Sequence, residues 1–184
     1  VRDTMVLTIN RAATVDAGLD QTICSSDSAT LAGSFGGGAS SVKWTTSGTG
    51  TFDDDTKVNA VYRPSAADST AGFVTLTLTT NNPAGVCDAV SDDMTLTIEP
   101  AATANAGPNQ TICSGEKATM AGVIGGSALT LTWSTMGTGL FDDNTKANAE
   151  YTPSSADTTA GTVKLILTTD DPSGECTAAT DTMV

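Results

Sequence analysis

The sequence has no histidine, few aromatics and few cations: among 184 residues, 4% are aromatic, and eight Lys+Arg face 21 Asp+Glu, a formal charge of −13. Each shortage excludes something. Without histidine there is no Ser–His or Cys–His nucleophile pair. Without histidine or a C-x-x-C there is no ordinary zinc site. Scattered lysines and arginines offer no patch to neutralise phosphates, which argues against nucleic acid and against docking on anionic lipid. No apolar run approaches membrane-spanning length, so no membrane insertion is expected. No helical stripe is long enough to carry a phosphate loop at its start. Ser40-Ser41-Val42-Lys43 and Ser114-Gly115-Glu116-Lys117 fit S-x-x-K, but the supporting motifs of that enzyme class are missing. The chain reads as a non-enzyme with a soluble, mutually repelling acidic surface.

What the sequence does hold is a repeat. AGLDQTIC at 17–24 returns as AGPNQTIC at 106–113. The same 89-residue offset carries Trp44 to Trp133, Phe52 to Phe141, Tyr62 to Tyr151, Pro64 to Pro153 and Cys87 to Cys176. Self-similarity at a fixed period is the signature of a tandem array. RDTMVLTI at 2–9 also matches SDDMTLTI at 91–98, and TDTMV at 180–184 opens the same stretch again. The expected organisation is therefore residues 1–10 as the last strand of a preceding repeat, then repeats at 11–99 and 100–184. The chain reads as a window from a longer array. Glu99-Pro100-Ala101 is a minimal connection, with a stiff proline, and predicts domains set end to end.

The local period is two. VTLTLTT at 74–80, MTLTI at 94–98 and VKLILTT at 163–169 alternate apolar and hydroxyl residues, which puts one face on a core and one in water. Turn signals such as GSFGGGAS, TSGTG and NNPAG separate the runs. Repeat 1 reads as strands at 12–17 and 21–24 (a split first strand), 29–34, 41–46, 59–63, 73–80 and 94–98. The fold class expected is all-β, an antiparallel immunoglobulin-like sandwich in each repeat. Scarce aromatics imply a thin core of Val, Leu and Ile around Trp44, and Gly48, Gly50 and Gly72 are expected to serve turns.

The four cysteines fall two per repeat, at Cys24, Cys87, Cys113 and Cys176. An even count in a small loop-rich domain suggests disulfides and an oxidising compartment. The simplest pairing is Cys24–Cys87 with Cys113–Cys176, each loop worth up to about 4 kcal/mol. Cys24 and Cys87 tend, however, towards opposite ends of a sandwich, which makes Cys24–Cys176 the competing pairing. Phe52-Asp53-Asp54-Asp55 recurs as Phe141-Asp142-Asp143-Asn144, and such carboxylates can hold calcium. The expectation is solvated turns, with calcium as the alternative there and at Asp16 and Asp20. No other cofactor is expected.

Taken together, AGLDQTIC, ATLAGS, the strand carrying Trp44, GTGTFDDDTKVNAVYRPSAADSTAG, VTLTLTT and SDDMTLTI resemble the tandem immunoglobulin/PKD-like repeats of giant Bacteroidota cell-surface adhesins, the SprB-like gliding motility adhesins of flavobacteria. The resemblance covers essentially the whole chain. It implies type IX secretion, an extracellular, outer-membrane-attached location, and a long filament. The repeats would be its shaft, extending the adhesive part for surface attachment or gliding. Neighbouring repeats of the same polypeptide would be their partners, with cell-surface or substratum glycans met by other regions. It further implies O-glycosylation at Asp-Ser/Thr motifs, and Ser69 and Thr158 stand at equivalent places in the two copies. Asn109-Gln110-Thr111 fits an N-glycan acceptor, but Asp20 takes that place in the first copy. The alternatives are a glycan-binding module, for which there are few aromatics to spare, and an accessory domain of a secreted enzyme.

Overall fold

The computed structural model describes residues 2–172 and 174–184. They divide into two compact units, Val1–Ile98 and Glu99–Val184. Each is an all-β, immunoglobulin-like sandwich.

Repeat 1 runs β1 (Ala13–Asp16), β2 (Gln21–Cys24), β3 (Ala29–Thr30), β4 (Ser34–Gly37), β5 (Val42–Thr46), β6 (Thr51–Phe52), β7 (Val61–Arg63), α1 (Ala66–Ala71), β8 (Phe73–Thr80) and β9 (Ser91–Glu99). One sheet is ordered β2-β9-β8-β5 and another β3-β7-β6, while β1 pairs with β4. The alternation predicted for VTLTLTT holds: along β8 the residues Val74, Leu76 and Leu78 are buried and the threonines between them are not. β9 answers with Met94, Leu96 and Ile98. Trp44 fills the centre, 1% exposed, with its indole N–H donating to the Lys57 carbonyl at 2.9 Å. Phe52 bridges Trp44 and Tyr62, with ring centroids 6.5 and 4.9 Å away. Offset aromatic contacts of this kind add specificity to burial.

Two expectations need correction. The strand expected at 29–34 is two short strands in different sheets, because Ala29 and Thr30 pair with β7 while Ser34–Gly37 pair with β1. The chain also holds two short helices where none was expected. Ser65 caps α1, its hydroxyl accepting the Asp68 N–H while the Asp68 side chain accepts the Ser65 N–H. This reciprocal pair is a capping box. Gly72 then ends the helix at φ 80°, a left-handed turn that glycine adopts without strain.

Repeat 2 follows as β10 (Thr103–Asn105), β11 (Ala118–Thr119), β12 (Val123–Gly125), β13 (Leu131–Thr135), β14 (Leu140–Phe141), β15 (Glu150–Thr152), α2 (Ser155–Ala160), β16 (Leu165–Thr169) and β17 (Thr180–Met183). Its separate core gathers Trp133, Tyr151, Leu167, Met120 and Met183. Two differences from repeat 1 stand out. Residues 110–113, the counterpart of β2, are not a strand, and β16 begins three residues later than the counterpart of β8. At the other end of the chain, residues 2–10 carry no strand either, and Met5, Val6, Leu7 and Ile9 are 73–89% exposed.

Candidate functional site

The most elaborate polar constellation is duplicated. In repeat 1, Asp68 is 3% exposed. Its Oδ1 accepts the Thr49 N–H at 2.9 Å, and its Oδ2 accepts the Ser65 N–H and the Tyr62 hydroxyl, each at 2.9 Å. In repeat 2, Asp157 accepts from Thr138 N–H at 3.0 Å, Gly139 N–H at 2.8 Å, Ser154 N–H at 2.9 Å and the Tyr151 hydroxyl at 2.8 Å. Gly48 and Gly137 are required here, because a Cβ at either would run into the aspartate carboxylate. The carboxylate thus ties the TSGTG turn, a core tyrosine and the start of a helix into one knot.

Burial pushes the Asp68 carboxyl up, but the N–H donors of Ser65 and Thr49 and the Tyr62 hydroxyl outweigh it, and the group lies below the usual carboxylate range. The N–H groups of Ser154 and Thr138 hold Asp157 down more strongly still. A carboxylate depressed by folding stabilises the fold above its unfolded pKa and stops doing so as pH falls through the folded one. The melting temperature is therefore expected to hold from neutral pH to about pH 5 and to fall on further acidification. Thermal melts across that range check this; a melting temperature that rises on acidification would overturn it. The contacts of each carboxylate are made within its own repeat, and in repeat 2 Tyr151 and Asp157 also line an open groove.

The cysteines do not follow the within-repeat pairing. Cys87 and Cys113 are free thiols, and the oxidised residues are Cys24 and Cys176. The cause lies in strand direction. The Asp92 carboxylate accepts the Ala17 N–H at 2.8 Å, and the Asp20 carboxylate accepts the Thr95 N–H at 2.7 Å. The chain from Ala17 onward therefore runs in the same direction as β9. By Cys24 it has reached the level of Glu99, whereas Cys87 precedes Ser91 and lies against Asn10, with its sulfur 3.8 Å from the Asn10 carbonyl. Ser91 to Glu99 is about 26 Å of strand, and a disulfide spans under about 7 Å between Cα atoms. Repeat 2 has the same layout, with Ala106 N–H on Asp181 and Val184 N–H on Asn109. Alkylation of the unreduced chain followed by mass spectrometry is expected to label two cysteines, Cys87 and Cys113. Labelling of Cys24 or Cys176 would contradict these oxidation states.

The other candidates are accounted for locally. Asp53 accepts the Val61 N–H at 2.7 Å, and Asp54 accepts the Thr56 hydroxyl at 2.6 Å. Lys57 lies within 3.6 Å of both carboxylates, and Lys43 lies 3.4 Å from Asp55. Asp142 and Asp143 repeat the pattern with Glu150 N–H, Thr145 and Lys146. Asp16 accepts the Gly18 N–H. Among the described residues, no three His, Cys, Asp or Glu side chains converge into a metal-binding group. The S-x-x-K lysines are engaged elsewhere, Lys43 with Asp55 and Lys117 with Glu150 at 2.9 Å. Ser69 and Thr158 sit on the short helices, half-buried and exposed respectively, donating to the Ser65 and Ser154 carbonyls. Among the described residues, no helix is long and apolar enough to cross a membrane.

No family model matches the chain, and no curated protein does. Solved structures do. The insect immune protein hemolin is similar over 100% of this chain and 48% of its own, at 11% identity and a TM-score of 0.56. A human cadherin-23 fragment, EC21-23, is similar over 95% of this chain and 63% of its own, at 13% identity and a TM-score of 0.45. Human protocadherin-24 EC1-2 is similar over 95% of both chains, at 12% identity and a TM-score of 0.47. The chain thus spans about half of the hemolin chain. At such identities the likeness concerns the fold alone, and that fold is the immunoglobulin-like sandwich.

Proposed function

We propose that these repeats are shaft domains of a long extracellular adhesin, of the SprB-like gliding type, exported by type IX secretion and attached to the outer membrane. One observation carries this reading: a self-contained sandwich, with its own Trp-centred core, is built twice at an 89-residue offset. In each copy the polar knot ties a turn, a core tyrosine and a helix start together. Repetition of such a unit adds length without adding a new activity. The neighbours in the array are the partners of each repeat, and glycans are met by regions elsewhere in the protein.

Electron microscopy of the native protein on its cells tests the reading. Fibres many domains long, with one axial step of a few nanometres per repeat, are expected. A particle holding only two or three domains would overturn it. The same reading predicts O-glycans on Ser69 and Thr158. The intact mass of the natively expressed protein is expected to exceed the sequence mass, and Ser69→Ala with Thr158→Ala should remove that excess. A native mass equal to the sequence mass would reject the modification.

A further inference from the structure

The chain enters repeat 1 through β1 and β2 and leaves it through β9, and β2 lies directly beside β9 in the sheet. Two side chains extend that pairing beyond the start of β2. Asp92 accepts the buried Ala17 N–H at 2.8 Å, and Asp20 accepts the Thr95 N–H at 2.7 Å. The two contacts advance together along both segments, which therefore run parallel. On its other edge β9 is backed by β8, in register from Phe73 opposite Thr97 to Thr79 opposite Ser91. The seam with the four-residue β2 is the shorter of the two.

Parallel neighbours respond to tension differently from antiparallel ones. A pull along the polypeptide draws β2 back towards its start and β9 forward towards its end. The strands are made to slide, and the evenly spaced bonds of a parallel pair carry the load together. In an antiparallel pair the pulled ends would lie side by side, and the bonds would open one after another. Forced unfolding is governed by the unfolding rate, and a seam that fails only when several bonds fail together raises that barrier.

Repeat 2 builds the same fastening. Asp181 accepts the Ala106 N–H at 2.8 Å, and Asn109 Oδ1 accepts the Val184 N–H at 2.9 Å. The Val184 carbonyl accepts the Gln110 N–H at 3.0 Å. Asn109 stands where repeat 1 has Asp20, so the position calls for an acceptor oxygen and not for a charge. We propose that the parallel seam of residues 17–24 against residues 92–99, fastened by Asp92 and Asp20, is a tension-bearing clamp that sets the force at which repeat 1 gives way. It rests on the shaft reading for the source of the tension alone.

The test is single-molecule pulling on the whole chain, with a thiol reductant present, through azide-bearing side chains introduced at two exposed positions. Handles at Arg11 and Pro100 draw opposite ends of the seam apart. Handles at Arg11 and Val86 load one end only, because the β8–β9 loop lies beside residue 10, with the Cys87 sulfur 3.8 Å from the Asn10 carbonyl. The first pair should give a several-fold higher unfolding force than the second, with release of about 30 nm of chain. β1 and its bonds to β4 lie on both paths, so the aspartates assign the difference to the seam. Asp20→Ala with Asp92→Ala should lower the first force sharply and leave the second nearly unchanged, whereas Asp20→Asn should keep both. Equal forces in the two geometries overturn the proposal, and that comparison needs no variant to fold. A loss in the alanine variant that is the same in both geometries also overturns it, because a domain merely destabilised weakens in every direction. These forces are read independently of the electron micrographs, so a short native particle removes the shaft reading and not the clamp.

Discussion

Replacement of Trp44 by alanine is expected to destabilise repeat 1 by about 4 kcal/mol, most of what a small domain possesses. The indole is 1% exposed, packs near Phe52, and satisfies its N–H on the Lys57 carbonyl. Removing it leaves a cavity as well as an orphaned carbonyl. Because the two cores are separate clusters, calorimetry should resolve two transitions in the variant, one greatly lowered and one close to that of the parent. Trp133→Ala should exchange their identities. Phe73→Ala, at a site 58% exposed, should cost no more than about 0.5 kcal/mol. A single transition displaced as a whole would contradict the separation of the cores.

Asp68→Ala is the second large effect, expected at about 3 kcal/mol. The loss is not that of a surface charge. It leaves the Thr49 and Ser65 N–H groups without their acceptor and the Tyr62 hydroxyl with Thr46 Oγ1 alone, and buried donors without partners are costly. It also removes half of the capping box that starts α1. Tyr62→Phe deletes one donor along with its demand and should cost only about 1 kcal/mol. Denaturant titration of both variants checks the order. If Asp68→Ala proves no worse than Tyr62→Phe, the knot is not a unit.

Much of the scaffold was legible in the sequence because it rests on patterning. The run expected at 73–80 is β8 residue for residue, and the break expected between 17 and 21 separates β1 from β2. Both depend on period-two alternation and on Gly18, signals carried by neighbouring residues. What was missed depends on distant residues. SFGG reads as a turn, yet becomes β4 because β1 offers it a full register, from Ala13 opposite Gly37 to Asp16 opposite Ser34. The helices span only six residues, too short for an apolar stripe, and their signal is Ser-x-x-Asp followed by a glycine. Asp68 and Asp157 looked like part of a modification motif; nothing local reveals that tyrosines six residues earlier are tied to them. The cysteine pairing required the direction of the Ala17–Cys24 segment relative to β9, which composition and spacing do not contain.

The hydrogen bonds from Ala17 to Asp92 and from Thr95 to Asp20 each span 75 residues of chain. For a polypeptide that emerges from its amino end, the Ala17–Cys24 segment must wait until repeat 1 is almost complete. Meanwhile a Met-Val-Leu-Thr-Ile segment suited to the same seat has already emerged just behind it, at residues 5–9. Order of appearance therefore favours the wrong occupant. What selects the right one is tethering. A strand lying parallel to its neighbour needs a connection of a dozen or so residues, and the eleven between Ile9 and Gln21 include β1, which is committed to β4. The upstream segment cannot double back, so each repeat waits for its own last strand. This gives slow, high-contact-order closure but an accurate one, in a chain where every neighbour is a near-copy.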